Sequence, residues 1–391
     1  MKHLIRKLKT IWWRVKSYAA RYYYGNPSSK LKIVGVTGTN GKTTTATLLY
    51  GVATVLGYKA GLISTVENMI AGEKRGATHT TPDSISLTKL LSEMVERECE
   101  YVFMEVSSHA MDQRRVTGIN FVGGIFTNLT HDHLDYHKSL ENYFLAKKKF
   151  FKMLPAHAFA LTNIDDEHGM DMIEGIKAKK YTYGFKNKAD FNEKLETKLL
   201  GNFNEYNALA VYAVAVLLGL DKEKVKEVLK NVVPPRGRFD HFTAPNGVVV
   251  VVDYAHTPDA LENIFRTAKG ILQPGGRIIS VFGCGGDRDP LKRRIMGKIG
   301  AELSDIAIFT SDNPRSEDPD KIIAEMGTDL TIAMVKKVIA ITDRREAIKK
   351  SVELAQKGDI ILCAGKGHEE YQEIKGVKNH FSDKEEFEKL F

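Results

Sequence analysis

The chain has 391 residues, 43% of them hydrophobic, and a formal net charge of +8. That length allows two or three globular domains of ordinary composition, and no apolar run of roughly 18 or more residues exists to cross a bilayer. The charge is local: residues 1–32 carry nine Lys and Arg and no Asp or Glu, so the remainder is near −1 and no nucleic-acid partner is expected. Three cysteines far apart in the sequence suggest neither a disulfide framework nor a zinc site, which fits a reducing cytoplasm. The N-terminus also lacks the apolar stretch of a secretion signal.

Taken in chain order, residues 1–25 are predicted to form one helix. Leu4, Leu8, Ile11, Val15, Tyr18 and Tyr22 recur on one face, flanked by Ile5 and Trp12, with Lys and Arg on the opposite arc. Such a helix either packs on the protein body or a partner, or lies at the inner face of an anionic membrane. Gly25-Asn26-Pro27-Ser28-Ser29 ends it. The run Leu31–Val36 reads as a buried strand and Ala46–Leu56 as a helix. Between them lies Thr37-Gly38-Thr39-Asn40-Gly41-Lys42-Thr43-Thr44. A strand, a Gly-rich loop and a helix N-terminus form a phosphate cradle of backbone N–H groups, with Lys42 toward the terminal phosphates and Thr43 toward Mg²⁺. The generic pattern has Gly where Val36 stands, so this is a variant loop; the alternative is a Gly/Thr-rich turn without a ligand.

Further on, Val102–Val106, Gly124–Thr127 and Phe159–Asn163 read as buried strands and Asn207–Leu218 as a buried helix. Pro234-Pro235-Arg236-Gly237-Arg238 is a plausible hinge. Strands are then expected near Val248–Asp253, Arg277–Phe282, Ile306–Thr310, Val338–Ile341 and Ile360–Ala364. The expected class is α/β: a helix and linker over 1–29, a central P-loop ATP-binding domain with a parallel sheet over 30–236, and a Rossmann-like α/β domain over 237–391.

Four clusters carry chemistry. Glu105 ends a strand, where an acid in P-loop proteins commonly helps to hold Mg²⁺; the alternative is a solvated carboxylate. Residues 128–137 contain His131, His133, His137, Asp132 and Asp135, which suit a zinc site, a Mg²⁺ site or a polar capping loop. Lys147 reads from its spacing as a solvated helix charge. The segments Asp253–Pro258, Gly283–Asp289, Asp312–Arg315 and Gly365–Glu369 sit at strand C-termini, where α/β sheets bind ligands. Together they mix Arg, Asp and Glu as a zwitterionic amino acid would require.

The stretches TGTNGKTTT, EVSSH, FTNLTHDHLDYH, DYAHTPDAL, FGCGGDRD, SDNPR and AGKGHE occur in order across residues 31–391, and as a set they resemble the Mur ligases. The resemblance implies an ATP-dependent ligase that adds a diamino acid to a muramoyl-dipeptide acceptor through an acyl phosphate. It implies that Gly38, Thr39, Asn40, Gly41, Lys42, Thr43 and Thr44 bind ATP phosphates. Thr43 and Glu105 would hold one Mg²⁺, and His133 and Lys147 a second, with Lys147 carbamylated into an anion. Asn204, Asn207, Arg238, Asp253 and His256 would contact the nucleotide. Thr80, Thr81, Ser107, Gln113 and Arg115 would contact the acceptor peptide. Arg288, Asp312, Asn313, Arg315, Gly365 and Glu369 would form the amino-acid site, with meso-diaminopimelate expected because an Arg can grip its second carboxylate.

Two departures from the family pattern stand out. His79 occupies a position where relatives often have Asn. Only about thirty residues precede the loop, where the family carries a UDP-binding domain of about a hundred residues. The expectation is therefore a complete ligase core without the usual uridine anchor. Alternatives are L-lysine as the added residue, an acceptor that is not UDP-linked, a ligase like folylpolyglutamate synthetase, and a non-catalytic ATP-binding module. The DNPR and GKGHE loops argue against the folate-type ligase, and intact Lys42, Glu105, His133 and Lys147 against loss of catalysis.

Overall fold

The computed structural model describes residues 2–77 and 79–391, and of residues 2–9 the backbone alone. The chain divides into two compact units. One holds the residues up to Thr130, His137–Leu199 and Phe203–Val233; the other holds His131–Tyr136, Leu200–Asn202 and Pro234–Phe391.

The first unit is built on eight strands: β1 (Lys32–Thr37), β2 (Ala60–Ile63), β3 (Asn68–Ile70), β4 (Glu73–Arg75), β5 (Tyr101–Glu105), β6 (Phe121–Phe126), β7 (Phe159–Asn163) and β8 (Lys179–Tyr183). Their order is β4-β3-β2-β5-β1-β6-β7-β8. All pairs are parallel except β2/β3 and β3/β4, which form a short meander at one edge. The inner strands are fully buried apolar runs, as expected where helices cover both faces. The helix Asn202–Leu217 is one of those covers, and every side chain from Ala208 to Ala215 is buried. The direction in which strands are added to the sheet reverses about β1, which lies between β5 and β6 although it precedes both and runs parallel to them. Such a switch point opens a crevice at the strand C-termini.

Helix α1 (Lys2–Tyr23) has the predicted extent but turns its expected apolar face outward. Ser17 and Ala20 are buried against the unit. The Ser17 hydroxyl donates to the Arg114 carbonyl at 2.9 Å, and Lys16 pairs with Asp83 at 3.3 Å. Ile11, Trp12, Val15, Tyr18 and Tyr22 are exposed. The small residues thus face the protein because they allow close approach, and the bulky stripe is left outside. Leu4, Ile5 and Leu8, the rest of that predicted face, lie outside the described side chains. No described helix is long and apolar enough to cross a membrane.

The second unit has a six-stranded sheet of β9 (Asp240–Thr243), β10 (Val249–Asp253), β11 (Ile278–Phe282), β12 (Ile306–Phe309), β13 (Val338–Ala340) and β14 (Ile360–Ala364). The order is β13-β12-β11-β14-β10-β9, parallel but for β9. Insertion of β14 between β10 and β11 brings the loops after residues 253, 282 and 364 side by side, with the loop after β12 next to them. A separate hairpin of β15 (Tyr371–Ile374) and β16 (Val377–His380) follows. Its turn, Lys375-Gly376, has φ of +50° and +80°, the geometry that suits a two-residue hairpin. Beneath the loops lies a fully buried ion pair. Arg344 donates to both carboxylate oxygens of Asp383 at 2.7 and 2.8 Å, and to the Ala364 carbonyl at 3.0 Å.

Candidate active site

In the first unit, β1 ends at Thr37 and helix α2 (Lys42–Val55) starts four residues before the predicted Ala46. The reason is Gly41, which has φ of +84° and turns the chain into the helix. A Cβ there would lie 2.6 Å from the Asn207 amide oxygen. Lys42, Thr43 and Thr44 therefore occupy the first helical turn, where N–H groups have no intrahelical acceptor and favour an anion. The Lys42 ammonium donates to the carbonyls of Gly38 and Thr39 at 3.0 and 2.8 Å. The loop is pinned from β6: the Asn40 N–H donates to the Asn128 side-chain oxygen at 2.8 Å, and the Thr127 hydroxyl donates to the Asn40 carbonyl at 2.6 Å. Behind it, the Asn207 amide accepts from the Thr45 hydroxyl at 3.3 Å and donates to Asn204 at 3.1 Å.

Pairing of Val36 with Glu105 places the acid beside the loop. Glu105 is completely buried and accepts from the Thr43 hydroxyl at 2.9 Å, the Thr65 N–H at 2.7 Å and the Thr65 hydroxyl at 3.0 Å. A hydroxyl and a carboxylate are hard oxygen donors, which suit Mg²⁺. Lys147, expected from spacing alone to be solvated, is 1% exposed. Its ammonium donates to the Gly38 carbonyl at 2.6 Å and stands 4.3 Å from the centre of the Tyr143 ring. The helix Leu140–Met153 turns that face inward with Tyr143, Ala146 and Phe150, so the lysine is carried in by its neighbours.

The five predicted acceptor contacts form one chain of hydrogen bonds next to Glu105. The Thr65 and Thr80 hydroxyls are hydrogen-bonded at 3.0 Å, and the Thr81 hydroxyl donates to the Glu105 carbonyl at 2.8 Å. Thr81 also meets Ser107, and Arg115 donates to the Thr81 carbonyl at 2.6 Å and to Gln113 at 2.7 and 3.0 Å.

The histidines of the segment 128–137 each have a polar partner within their own unit. His137 turns to the Ser108 hydroxyl at 2.9 Å, His131 to Asp289 at 3.2 Å and His133 to Asp132 at 3.5 Å. Among the described residues no three His, Cys, Asp or Glu form a group that could hold a metal ion. In the second unit Asp132 also lies 3.8 Å from His256. Burial alone would raise its carboxyl, but His133, His256 and Lys292 outweigh it and hold it well below the carboxylate range. The Arg238 guanidinium lies 4.7 Å from the Tyr254 ring centre. Asp253 accepts from the Phe239 and Ala255 N–H groups, both at 2.6 Å, and burial pushes its carboxyl up to about 6 against the pull of Arg238.

At the C-terminal ends of β11, β12 and β14, Asn313 is the hub. Its amide nitrogen donates to Glu369 at 2.7 Å, and its oxygen accepts from Lys366 at 3.2 Å and the Glu373 N–H at 2.9 Å. Lys366 is fully buried and 3.2 Å from Glu369. Burial and the neighbouring Asp312 raise the Glu369 carboxyl, partly offset by Lys366 and Asn313. Gly365, with φ of +111°, leaves room for Asp312, whose carboxylate would be 2.5 Å from a Cβ at that position. Arg315 donates to the Gly286 carbonyl at 2.8 Å and approaches Glu373 at 3.7 Å. Arg288 stands apart: it is exposed, and its recorded polar contact is with the Asp287 carbonyl at 3.3 Å.

Sequence reading missed Thr65, Tyr143, Lys292, Lys366 and Glu373. Thr65, Tyr143 and Glu373 act through long-range contacts that no local pattern reveals. Lys366, set between glycines in GKGHE, and the Lys375-Gly376 turn were visible signals.

The chain matches two family models: the Mur ligase middle domain over residues 36–215, and the Mur ligase glutamate ligase domain over 237–367. It is 52% identical over 390 residues to a UDP-N-acetylmuramoyl-L-alanyl-D-glutamate–2,6-diaminopimelate ligase of Bacteroides fragilis, covering 95% of this chain and 80% of that one. A ligase of the same name from Cytophaga hutchinsonii is 53% identical over 382 residues, covering 93% and 78%. A solved structure of a ligase of that name superposes with a TM-score of 0.63 at 35% identity, covering 92% of this chain and 78% of that one. Folylpolyglutamate synthase of Mycobacterium tuberculosis has a TM-score of 0.73 at 16% identity, covering 90% and 92%, and so shares the fold.

His137 offers a test of the geometry by acid titration. Burial, with His109, Lys147 and Lys149 outweighing Asp112, lowers its imidazole from an ordinary 6.5 to about 4. A neutral imidazole in the fold adds stability above pH 6.5 that is lost as pH falls toward 4, because the unfolded chain takes up the proton first. Denaturant unfolding of His137→Gln should therefore show less acid loss than the wild type in that window, by up to about 1.4 kcal/mol per pH unit. Parallel curves for the two proteins would contradict the buried neutral ring.

Proposed function

We propose a specific reaction for this chain, which belongs to the Mur ligase family: ATP-dependent addition of meso-diaminopimelate to UDP-N-acetylmuramoyl-L-alanyl-D-glutamate, a step of peptidoglycan precursor synthesis in the cytoplasm. The observation that carries it is the phosphate loop with its buried Thr43–Glu105 pair on a chain about half identical to ligases of that name. Phosphate release from ATP should require both the acceptor and the amino acid. Hydrolysis that ignores both would indicate another type of ATPase.

The residues divide the work. Gly38–Thr44 hold the ATP phosphates, with Asn204, Asn207, Arg238, Asp253 and His256 assigned to the nucleotide. Thr80, Thr81, Ser107, Gln113 and Arg115 hold the acceptor so that a carboxylate oxygen attacks the γ-phosphorus, the bond from that phosphorus to the β–γ bridging oxygen breaks, and ADP leaves an acyl phosphate behind. Asp312, Asn313, Arg315, Gly365 and Glu369, with Arg288 at the margin, hold the incoming amino acid. Its neutral amine attacks the acyl carbon, the C–O bond to phosphate breaks, and the amine loses a proton. Mg²⁺ would neutralise phosphate charge. Thr43 and Glu105 fit one such ion. Lys147 and His133 are assigned to a second, which needs Lys147 carbamylated, because an ammonium repels a cation and a carbamate binds it.

Arg315 is assigned to the second carboxylate of the amino acid, which a guanidinium can take in two parallel hydrogen bonds. Diaminopimelate should be incorporated in preference to L-lysine, and Arg315→Ala should weaken its use by about 2–5 kcal/mol. A wild-type preference for lysine in a panel of diamino acids would overturn the assignment. Lys147→Ala should abolish ligation, with partial recovery on adding a small carboxylate. Full activity without that addition would make Lys147 a packing residue.

We also propose that α1 touches the cytoplasmic surface of an anionic membrane. Trp12 is 65% exposed beside Ile11, Val15, Tyr18 and Tyr22, with Arg14 among them, and aromatic and basic residues together favour a lipid interface. The wild type should pellet with phosphatidylglycerol vesicles at low salt, and a Trp12→Ser, Val15→Ser double variant should not. Equal pelleting, or none by the wild type, would refute it.

A further inference from the structure

Between α1 and the segment 111–120 of the first unit lies a cavity of about 430 Å³. Arg14, Arg21, Arg114 and Lys149 all line it, with Tyr18. Among the described residues Arg14, Arg21 and Arg114 form no ion pair, and Lys149 has Asp112 at 3.8 Å. Four cations lining one cavity repel each other, and an anion among them relieves that repulsion. Arg14, Arg114 and Lys149 are exposed at the rim and Arg21 is half-buried, so an incoming anion can reach all four. The Arg21 Nε donates to the Asn26 side chain at 2.6 Å. Gly118, with φ of +83°, lets the Arg21 guanidinium come within 3.2 Å of where a Cβ would be. Arg114 adopts φ of +58°, and its carbonyl takes the Ser17 hydroxyl that docks the helix. A strained non-glycine backbone, a glycine that admits a guanidinium and a docking hydrogen bond surround the same space.

We infer that this cavity binds a phosphate-bearing anion, and specifically the diphosphate of the nucleotide-linked acceptor; this rests on the proposed ligase reaction. The stretch Gln113–Arg115 joins the two ends of that molecule. Arg115 turns to Thr81 and Gln113 among the proposed peptide contacts, whereas its neighbour Arg114 lines the cavity. Guanidinium groups suit phosphate oxygens because their planar fork makes paired, charge-assisted hydrogen bonds. A lipid phosphate offers the same chemistry, and α1 could present the cavity to it.

The test is an Arg14→Ala, Arg21→Ala double variant of the full chain, with Arg14→Lys, Arg21→Lys as control for folding and charge. Direct titration with UDP and with inorganic pyrophosphate should show binding by the wild type that the alanine variant loses and the lysine variant partly keeps. In turnover, the alanine variant should raise KM for the UDP-linked acceptor about tenfold or more, while KM for ATP and kcat stay within about twofold. KM for the same muramoyl dipeptide lacking the nucleotide should not change. Equal loss with both acceptors, or unchanged binding of UDP and pyrophosphate, overturns the inference. Loss of phosphatidylglycerol vesicle binding with UDP titration unaltered overturns it in favour of a lipid phosphate. If the wild type ligates no acceptor but binds pyrophosphate through these arginines, the ligase reading fails and the anion site stands.

Discussion

The pairing of β1 with β5 sets the first unit's chemistry. It puts Val36 opposite Glu105, so the last residue of one strand meets the first turn of the nucleotide loop that leaves the other. A buried carboxylate is costly unless its oxygens are satisfied, and here a helix-terminal hydroxyl and two groups of Thr65 do so. Those same oxygens are the natural ligands of a hard cation. The arrangement that stabilises the buried acid is therefore the one that the proposed ion would use, because the hydroxyl that donates to the acid can turn its lone pairs to a metal. Lys147 is anchored to the Gly38 carbonyl and so reports on the same loop from the opposite side.

The second unit solves a different problem, that of holding opposite charges close together in a dry rim. Lys366, Glu369 and Asp312 are all largely buried; Asn313 bridges Lys366 and Glu369 with the two ends of its amide, and its backbone N–H donates to Asp312 at 2.6 Å. The Arg344–Asp383 pair lies beneath, fixing the carbonyl at the end of β14 from which Gly365 departs. Removing either partner of such a pair leaves an uncompensated buried charge. A rigid floor under charged loops suits the proposed zwitterionic amino acid, since misplaced charges cost as much as well-placed ones contribute.

Helix α1 shows that a local pattern fixes a helix and its faces but not which face meets the protein body. Its periodicity foretold one helix and one apolar face. Burial of that face against the body would be the ordinary outcome. The contact instead uses Ser17 and Ala20, because small side chains and a hydroxyl fit against the Arg114 carbonyl where a tyrosine would not. The consequence is an exposed aromatic stripe that shares Tyr18 with the lining of a cation-rich cavity.

By itself the sequence determined the α/β class, the strand–loop–helix around residues 37–44 and the clustering of chemistry at strand C-termini. These depend on local alternation of apolar runs, glycines at fixed offsets and the identity of a few residues, all of which are legible along the chain. The meander of β3 and β4 and the β15–β16 hairpin were not foreseen, because their strands are short and half exposed, with little apolar signal. Only the tertiary structure decided that Lys147 is buried, that His137 turns to Ser108, and that Arg288 stands outside the Asn313 network. Each of those outcomes turns on which neighbour from a distant segment arrives to desolvate or bind the side chain. A lysine on a polar-looking helix stretch is solvated or buried according to what packs on it, and that packing is a property of the folded chain.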